Sequence, residues 1–282
     1  PFLKTVLESF MVSPYNCIYP YTISNTMGQH KVNSSKDNSI FIVTRSYKKI
    51  KKVFKKLKKS KGNVVHIVGA PGTGKSANIY RALEETNLNI YEIDSNISSP
   101  NEHSQEVFCT MLNDLKKSLD VDSKLEVYDK LANYDAVLFA DQFHDKHLID
   151  SKKVGFSEWT RKAGFKSFRF YLICIKEYLK FYKKFQKINI IFQTAWRIRI
   201  KDKKYDLFTD FGIFSRAILF ILGRLFCVVE VSYSNSETVN IVKSHLKDID
   251  DEKMEECINK HGHRPRLILN DLQTNDIDLD NS

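Results

Sequence analysis

The chain has 282 residues, 42% hydrophobic and 28% charged, a balance that excludes a disordered or fibrous protein and suits one large domain or one core with a small accessory domain. Lysine and arginine number 44 against 34 acids, and the formal charge of +10 suits an anionic partner such as nucleic acid or a membrane surface. A coding bias toward Lys, Asn and Ile would produce the same excess. The five cysteines (Cys17, Cys109, Cys174, Cys227 and Cys257) have no close pair at metal or redox spacing, so reduced thiols are the simplest expectation.

Residues 1–13 carry Lys4 and Glu8 and lack the long apolar core of a signal peptide. Residues 24–38 are polar and read as a loop or linker, closing an N-terminal segment of residues 1–44. From residue 45 to 59 the pattern becomes helical: Ile50, Val53, Phe54 and Leu57 form one stripe, and lysines from Lys48 to Lys59 fill the other positions. Gly62 ends that helix. Residues 64–68 fit a strand buried on both faces, followed by a helix over 77–85 and a second strand over 89–93. The spacing of Val107, Met111, Leu112 and Leu115 predicts a helix, and residues 136–140 a third strand. Residues 168–185 read as a long aromatic helix containing Tyr171, Tyr178 and Tyr182, before a fourth strand at 188–192.

The most apolar stretch, residues 217–231, is interrupted by Arg224 and is too short to cross a bilayer. It is expected to be a buried element ending in a fifth strand at 228–231. With no membrane partner implied, a cytoplasmic protein is expected. Helices follow at 237–246, 251–260 and 264–272, and residues 275–282 form an acidic tail. Strands separated by helices imply an α/β core of residues 45–233, with a mainly parallel sheet covered by helices on both faces. Residues 234–274 would make a small C-terminal helical lid.

The strongest chemical signal is Gly69-Ala70-Pro71-Gly72-Thr73-Gly74-Lys75-Ser76, a complete G-x-x-x-x-G-K-S between an apolar strand and a helical pattern. Glycines let the backbone curl so that its N–H groups face a phosphate, and the helix N-terminus adds favourable electrostatics. Lys75 then reaches the β- and γ-phosphates and the Ser76 hydroxyl coordinates Mg²⁺. Such a loop needs a carboxylate on the metal side at the end of a neighbouring strand. The apolar run from Ala136 to Ala140 ends in Asp141, which fills that place. No D-x-x-G switch follows Asp141 and no N-K-x-D motif occurs, so ATP is favoured over GTP by elimination.

With these residues the chain resembles the AAA+ and related archaeal-type ATPases of the additional-strand P-loop class, over about residues 45–269. The resemblance implies further site residues. Gln193 and Thr194 match the polar end of the sensor-1 strand near the γ-phosphate. Arg224, in Leu222-Gly223-Arg224, matches an arginine that acts as a finger. Arg266, in Gly262-His263-Arg264-Pro265-Arg266, matches the nucleotide-sensing arginine of the lid. Where the family places a water-polarising acid after the metal-side Asp, this chain has Gln142; His144 and Asp145 lie close by. Glutamine orients a water but accepts no proton as a carboxylate does, so slow or partner-dependent hydrolysis is expected.

Other constellations carry less. His66, inside a strand, reads as a packed core histidine. His261 and His263 have no Cys or carboxylate at ligand spacing. Aromatics at 159–185 interleaved with lysines suit either a helix with a solvated basic face or a clamp for single-stranded nucleic acid. The resulting expectation is an ATP- and Mg²⁺-binding switch or remodeller, in a homo-oligomer or on DNA or RNA through residues 48–59. The alternatives are a nucleotide-gated interaction protein with little hydrolysis, and a P-loop kinase using Arg197 and Arg199 as lid arginines.

Overall fold

The computed structural model describes residues 40–92, 104–133, 136–140, 158–159, 169–194, 197–200, 203–246 and 249–279. The basic segment forms helix α1 (Arg45–Leu57), begun by the Thr44 side chain, which accepts a hydrogen bond from the Tyr47 N–H. Its apolar stripe (Tyr47, Ile50, Phe54 and Leu57) is buried, while its lysines stay in water or half-exposed. Burying Phe54 alone contributes roughly 2–3 kcal/mol.

Strand β1 (Val64–Val68) leads through the glycine-rich loop into helix α2 (Lys75–Thr86) and strand β2 (Asn89–Glu92). Helices α3 (Ser104–Leu119) and α4 (Lys124–Asn133) precede strand β3 (Ala136–Ala140). After a two-residue strand β4 (Glu158–Trp159) come helices α5 (Arg169–Lys180) and α6 (Tyr182–Phe185), strand β5 (Asn189–Thr194), and a hairpin of β6 (Arg197–Ile200) and β7 (Lys203–Asp206). Helix α7 (Ile213–Leu225) and strand β8 (Cys227–Glu230) complete the core.

The main sheet runs β2-β3-β5-β1-β8 with every pairing parallel. Parallel strands must be covered on both faces, and side-chain alternation shows how. Val65, Ile67, Val137, Phe139, Ile191 and Val229 pack against α1 and α2 on one face. Leu138 and Ile190 point to the other, against α3 and α4. The expected helices on both faces are therefore present. Asn189, buried at the start of β5, donates to the carbonyls of Leu57 and Ser60 at 3.0 and 2.8 Å and accepts from the Asn63 N–H at 3.0 Å. It ties the α1–β1 turn to the neighbouring strand.

The C-terminal helices are α8 (Asn235–His245), α9 (Asp251–His261) and α10 (Pro265–Leu279). Ser234 and Glu237 form a capping box at the start of α8. Val242, Met254, Cys257, Ile268 and Leu272 close a separate small core among the three helices. Helix α10 continues to Leu279, past the expected end at 272 and into the residues read as an acidic tail.

Four sequence expectations need correction. The apolar stretch of residues 217–231 is not a buried element throughout. Most of it lies in α7, where Ile213 and Leu225 are 86% and 70% exposed and Phe214, Phe220 and Ile221 also face solvent. Among the described residues only one side of α7 meets the protein, and Ser215 is its one buried residue. The long aromatic helix is broken at Phe181 into α5 and α6. Helix α4 and the β6–β7 hairpin were not foreseen: α4 is short, and β6 and β7 are rich in Lys and Arg rather than apolar residues. Finally, Cys109 is disulfide-bonded, against the expectation of reduced thiols, whereas Cys174, Cys227 and Cys257 are free. No helix among the described residues is long and apolar enough to cross a membrane.

Candidate nucleotide-binding site

The loop between β1 and α2 has the backbone shape that its glycines predict. Gly72 and Gly74 sit at φ 87° and 69°, a region that side-chain-bearing residues rarely adopt. Gly69 is required for a different reason: a Cβ there would lie 2.8 Å from the Val231 carbonyl oxygen. Thr73 turns inward, its hydroxyl donating to the Ala70 carbonyl at 2.8 Å. Helix α2 begins at Lys75 without a side-chain cap, so the N–H groups of its first turn are presented to an anion.

Lys75 is 7% exposed, and its ammonium folds back onto the loop, donating to the carbonyls of Gly69 at 2.7 Å and Ala70 at 3.2 Å. A buried cation of this kind is costly unless partnered. A phosphate entering the loop would take over those donations. The Ser76 hydroxyl donates to Gln193 Oε1 at 3.0 Å, so the last residue of the loop motif and the end of β5 meet. The donor set fits Mg²⁺–ATP: curled N–H groups and Lys75 for phosphate oxygens, and a hydroxyl oxygen for the metal.

Gln193 and Thr194, offered together by the sequence, are separated by strand alternation. Gln193 lies beside Ile67 on the α2 face and reaches Ser76. Thr194 points to the opposite face, where its hydroxyl pairs with His66 Nδ1 at 2.9 Å. His66 is the packed histidine expected: it stacks on Phe192 and touches Phe226, with ring centroids 5.2 and 5.0 Å away. Burial pushes its pKa down to about 4.

Two site residues escaped the sequence reading. Tyr233, 8% exposed, donates its hydroxyl to the Thr73 carbonyl at 2.7 Å and accepts from Asn78 Nδ2 at 2.8 Å. Asn78 also donates to the Gly74 carbonyl at 2.9 Å. Together they hold the phosphate loop from the end of β8. The available signal was position: Tyr233 follows the strand that pairs with β1, three residues after Glu230, which is paired with Val68.

The lid touches the loop directly. The Arg266 N–H, in the first turn of α10, donates to the Gly72 carbonyl at 3.1 Å, and a Cβ on Gly72 would lie 3.0 Å from Leu267 Cγ. The Arg266 side chain itself is exposed. Arg264 pairs with Asp210 at 2.9 Å, fastening the lid turn to the segment before α7. Arg224 is not brought to this loop. It ends α7 just before Cys227, and Cys227 pairs with Val65 while the loop follows Val68, so it lies at the opposite end of the sheet, at least roughly 10 Å along the strand. Its guanidinium rests over the Phe220 ring, 5.0 Å from the centroid. Asp141, Gln142 and His144 lie outside the described residues.

No family model matches the chain, and no curated protein does. Among solved structures it is similar to one described as a DNA replication initiation factor, with 18% identity and TM-score 0.40, covering 84% of this chain and 63% of that one. It is also similar to DnaA from Aquifex aeolicus bound to AMPPCP, with 18% identity and TM-score 0.39, covering 83% of this chain and 62% of that one. A third is the Drosophila ORC bound to DNA, with 14% identity and TM-score 0.42, covering 88% of this chain and 63% of that one. The chain thus spans less than two thirds of the length of the structures it matches. Independently of these likenesses, the chain itself shows an α/β fold: a parallel sheet in the order β2-β3-β5-β1-β8 with helices on both faces, a glycine-rich loop after β1 and a small helical lid seated on that loop.

Proposed function

We propose that the chain binds ATP with Mg²⁺ at residues 69–76 and works as a nucleotide-driven switch or remodeller. The observation that carries this reading is the convergence of Lys75, Ser76–Gln193 and the Arg266 N–H on one glycine-rich loop. Lys75 would neutralise β- and γ-phosphate charge, and the loop N–H groups would orient the phosphates. Ser76 and Asp141 are the residues that would hold the metal. Gln193, which accepts from the Ser76 hydroxyl, would orient that hydroxyl and offer its amide to the phosphate. Because α10 rests on the loop, nucleotide occupancy would be read by the lid, through its backbone at residue 266 and through Arg266 or Arg264.

Turnover is a separate matter from binding. Gln142 stands where a carboxylate is expected, so Gln142 and His144 would at most position the attacking water, and hydrolysis would be slow or partner-stimulated. That same glutamine favours a second reading, a nucleotide-gated interaction protein that binds ATP without hydrolysing it. Phosphate release measured with and without DNA or RNA separates the two. Arg224, exposed and remote from its own phosphate loop, would serve an adjacent copy in a homo-oligomer, with the apolar side of α7 as part of the contact. Lys48 to Lys59 would meet DNA or RNA phosphates.

The test of the central reading is calorimetry of Mg²⁺–ATP binding to wild type and Lys75→Ala. Loss of two or more orders of magnitude in affinity is expected, since a charge-assisted contact contributes about 1.5–3 kcal/mol and Lys75 would make more than one to the phosphates. Equal affinities in two folded proteins would refute the site.

A further inference from the structure

Acidic residues are missing from two separate stretches of the chain, residues 38–83 and residues 178–201. The fold brings them together, because β1 lies in the first, β5 in the second, and the two strands are parallel neighbours. Both stretches enter the sheet at the same end, the one opposite the phosphate loop. There the α1–β1 turn and the α6–β5 turn are in contact. A Cβ on Gly62, which has φ 75°, would lie 2.2 Å from the Gln186 carbonyl oxygen, and the Asn63–Asn189 bonds lock the two turns in register.

The two segments that meet there carry Lys55, Lys56, Lys58 and Lys59 from the first stretch and Lys183 and Lys187 from the second, all exposed. Lys51 and Lys184 are paired with Glu85 and Asp129, but those six have no carboxylate partner among the described residues. Like charges gathered at one end of the sheet raise the local positive potential, which an anion relieves more fully than water and salt do. Tyr182, 47% exposed, stands beside Lys183 on the same edge.

We propose that this end of the sheet is a docking surface for the phosphate backbone of nucleic acid, built jointly by the C-terminal half of α1 and the α6–β5 turn. Lysines spread over two segments suit a polymer with regularly repeated charge better than a single anion pocket. The exposed tyrosine gives a base a ring to stack on. The surface rests on the nucleic-acid reading above but narrows it, since it needs residues far from α1 in sequence. It also lies at the far end of the two strands that carry the phosphate loop and Gln193, so polymer and nucleotide are held simultaneously.

The experiment is fluorescence anisotropy of the full chain with a labelled single strand and a labelled duplex of about 20 nucleotides across a salt series. Lys183→Gln/Lys187→Gln should weaken binding about tenfold near 0.1 M salt and reduce the salt slope by about 1.4 for the single strand or about 1.8 for the duplex. Lys55→Gln/Lys59→Gln should do the same, and the surface pair Lys116→Gln/Lys117→Gln should change neither quantity. Tyr182→Ala should weaken the single strand and leave the slope intact. Unfolding curves confirm that each variant is folded, and ATP titration reports separately on the nucleotide site. If the α1 pair weakens binding while the 183/187 pair does not, the basic helix stands and the joint surface falls. Binding to phosphatidylserine vesicles with none to either nucleic acid would also overturn the proposal.

Discussion

Tyr233→Phe tests whether the phosphate loop is held in shape from outside. The substitution deletes one oxygen from a buried ring. It leaves the Thr73 carbonyl without its 2.7 Å donor and removes one of the two acceptors of Asn78, which keeps the Gly74 carbonyl. Burial pushes the tyrosine pKa up to about 12, so the wild-type hydroxyl is a neutral donor throughout the working pH range. An orphaned buried carbonyl costs about 1–3 kcal/mol. In a chain of this size each kcal/mol moves the melting temperature by about 2–4 °C, so a fall of roughly 2–12 °C is expected. If ~1.4 kcal/mol of that loss falls on the loop geometry that ATP selects, affinity drops about tenfold. Differential scanning fluorimetry and calorimetry read the two effects independently. A lowered melting temperature with ATP affinity untouched would show that Tyr233 braces only the edge of the sheet, and the loop argument would be refuted.

Two further outcomes follow from the same geometry. His66 has a folded pKa of about 4 against about 6.5 when unfolded, so only the unfolded chain takes up its proton between those values. Its contribution is therefore complete above about pH 6.5, declines as pH falls and levels off below about pH 4. His66→Gln should flatten that part of a urea-stability profile by up to about 3 kcal/mol, and a slope unchanged in the variant would assign the acid sensitivity to other groups. Arg224→Ala should leave the melting temperature within about 4 °C of wild type, since an exposed cation–π contact contributes only about 0.5–1 kcal/mol. It should lower ATP-dependent assembly in sedimentation velocity; severe unfolding with assembly preserved would mark a structural arginine instead.

The sheet was legible from sequence because its strands are short apolar runs between polar turns, a local property. Residues 64–68 and 136–140 were located to the residue, and β5 and β8 within two. The phosphate loop was legible because its spacing is set by backbone chemistry. The rest failed for identifiable reasons. Hydrophobicity of residues 217–231 predicted burial, but burial depends on what an element faces, and among the described residues α7 has protein on one side only. Gln193 and Thr194 are adjacent in sequence, so only the strand's pleat tells which one meets Ser76. Tyr233 and Asn78 are 155 residues apart, and no local pattern announces a hydroxyl bridging them to a loop carbonyl.

The Arg266–Gly72 hydrogen bond joins two backbone atoms, an amide and a carbonyl. This contact between lid and loop is therefore made by atoms that every ordinary residue possesses. Charge, size and polarity at position 266 can drift while the link persists, and an alanine scan of the lid would pass over it. Proline is the one coded residue that erases the donor. Pro265, immediately before it, is harmless in the first helical position, where an amide has no partner inside the helix. A single-step shift of that proline along the chain would thus remove this hydrogen bond while leaving composition unchanged, with the Leu267 contact and the Arg264–Asp210 pair still in place.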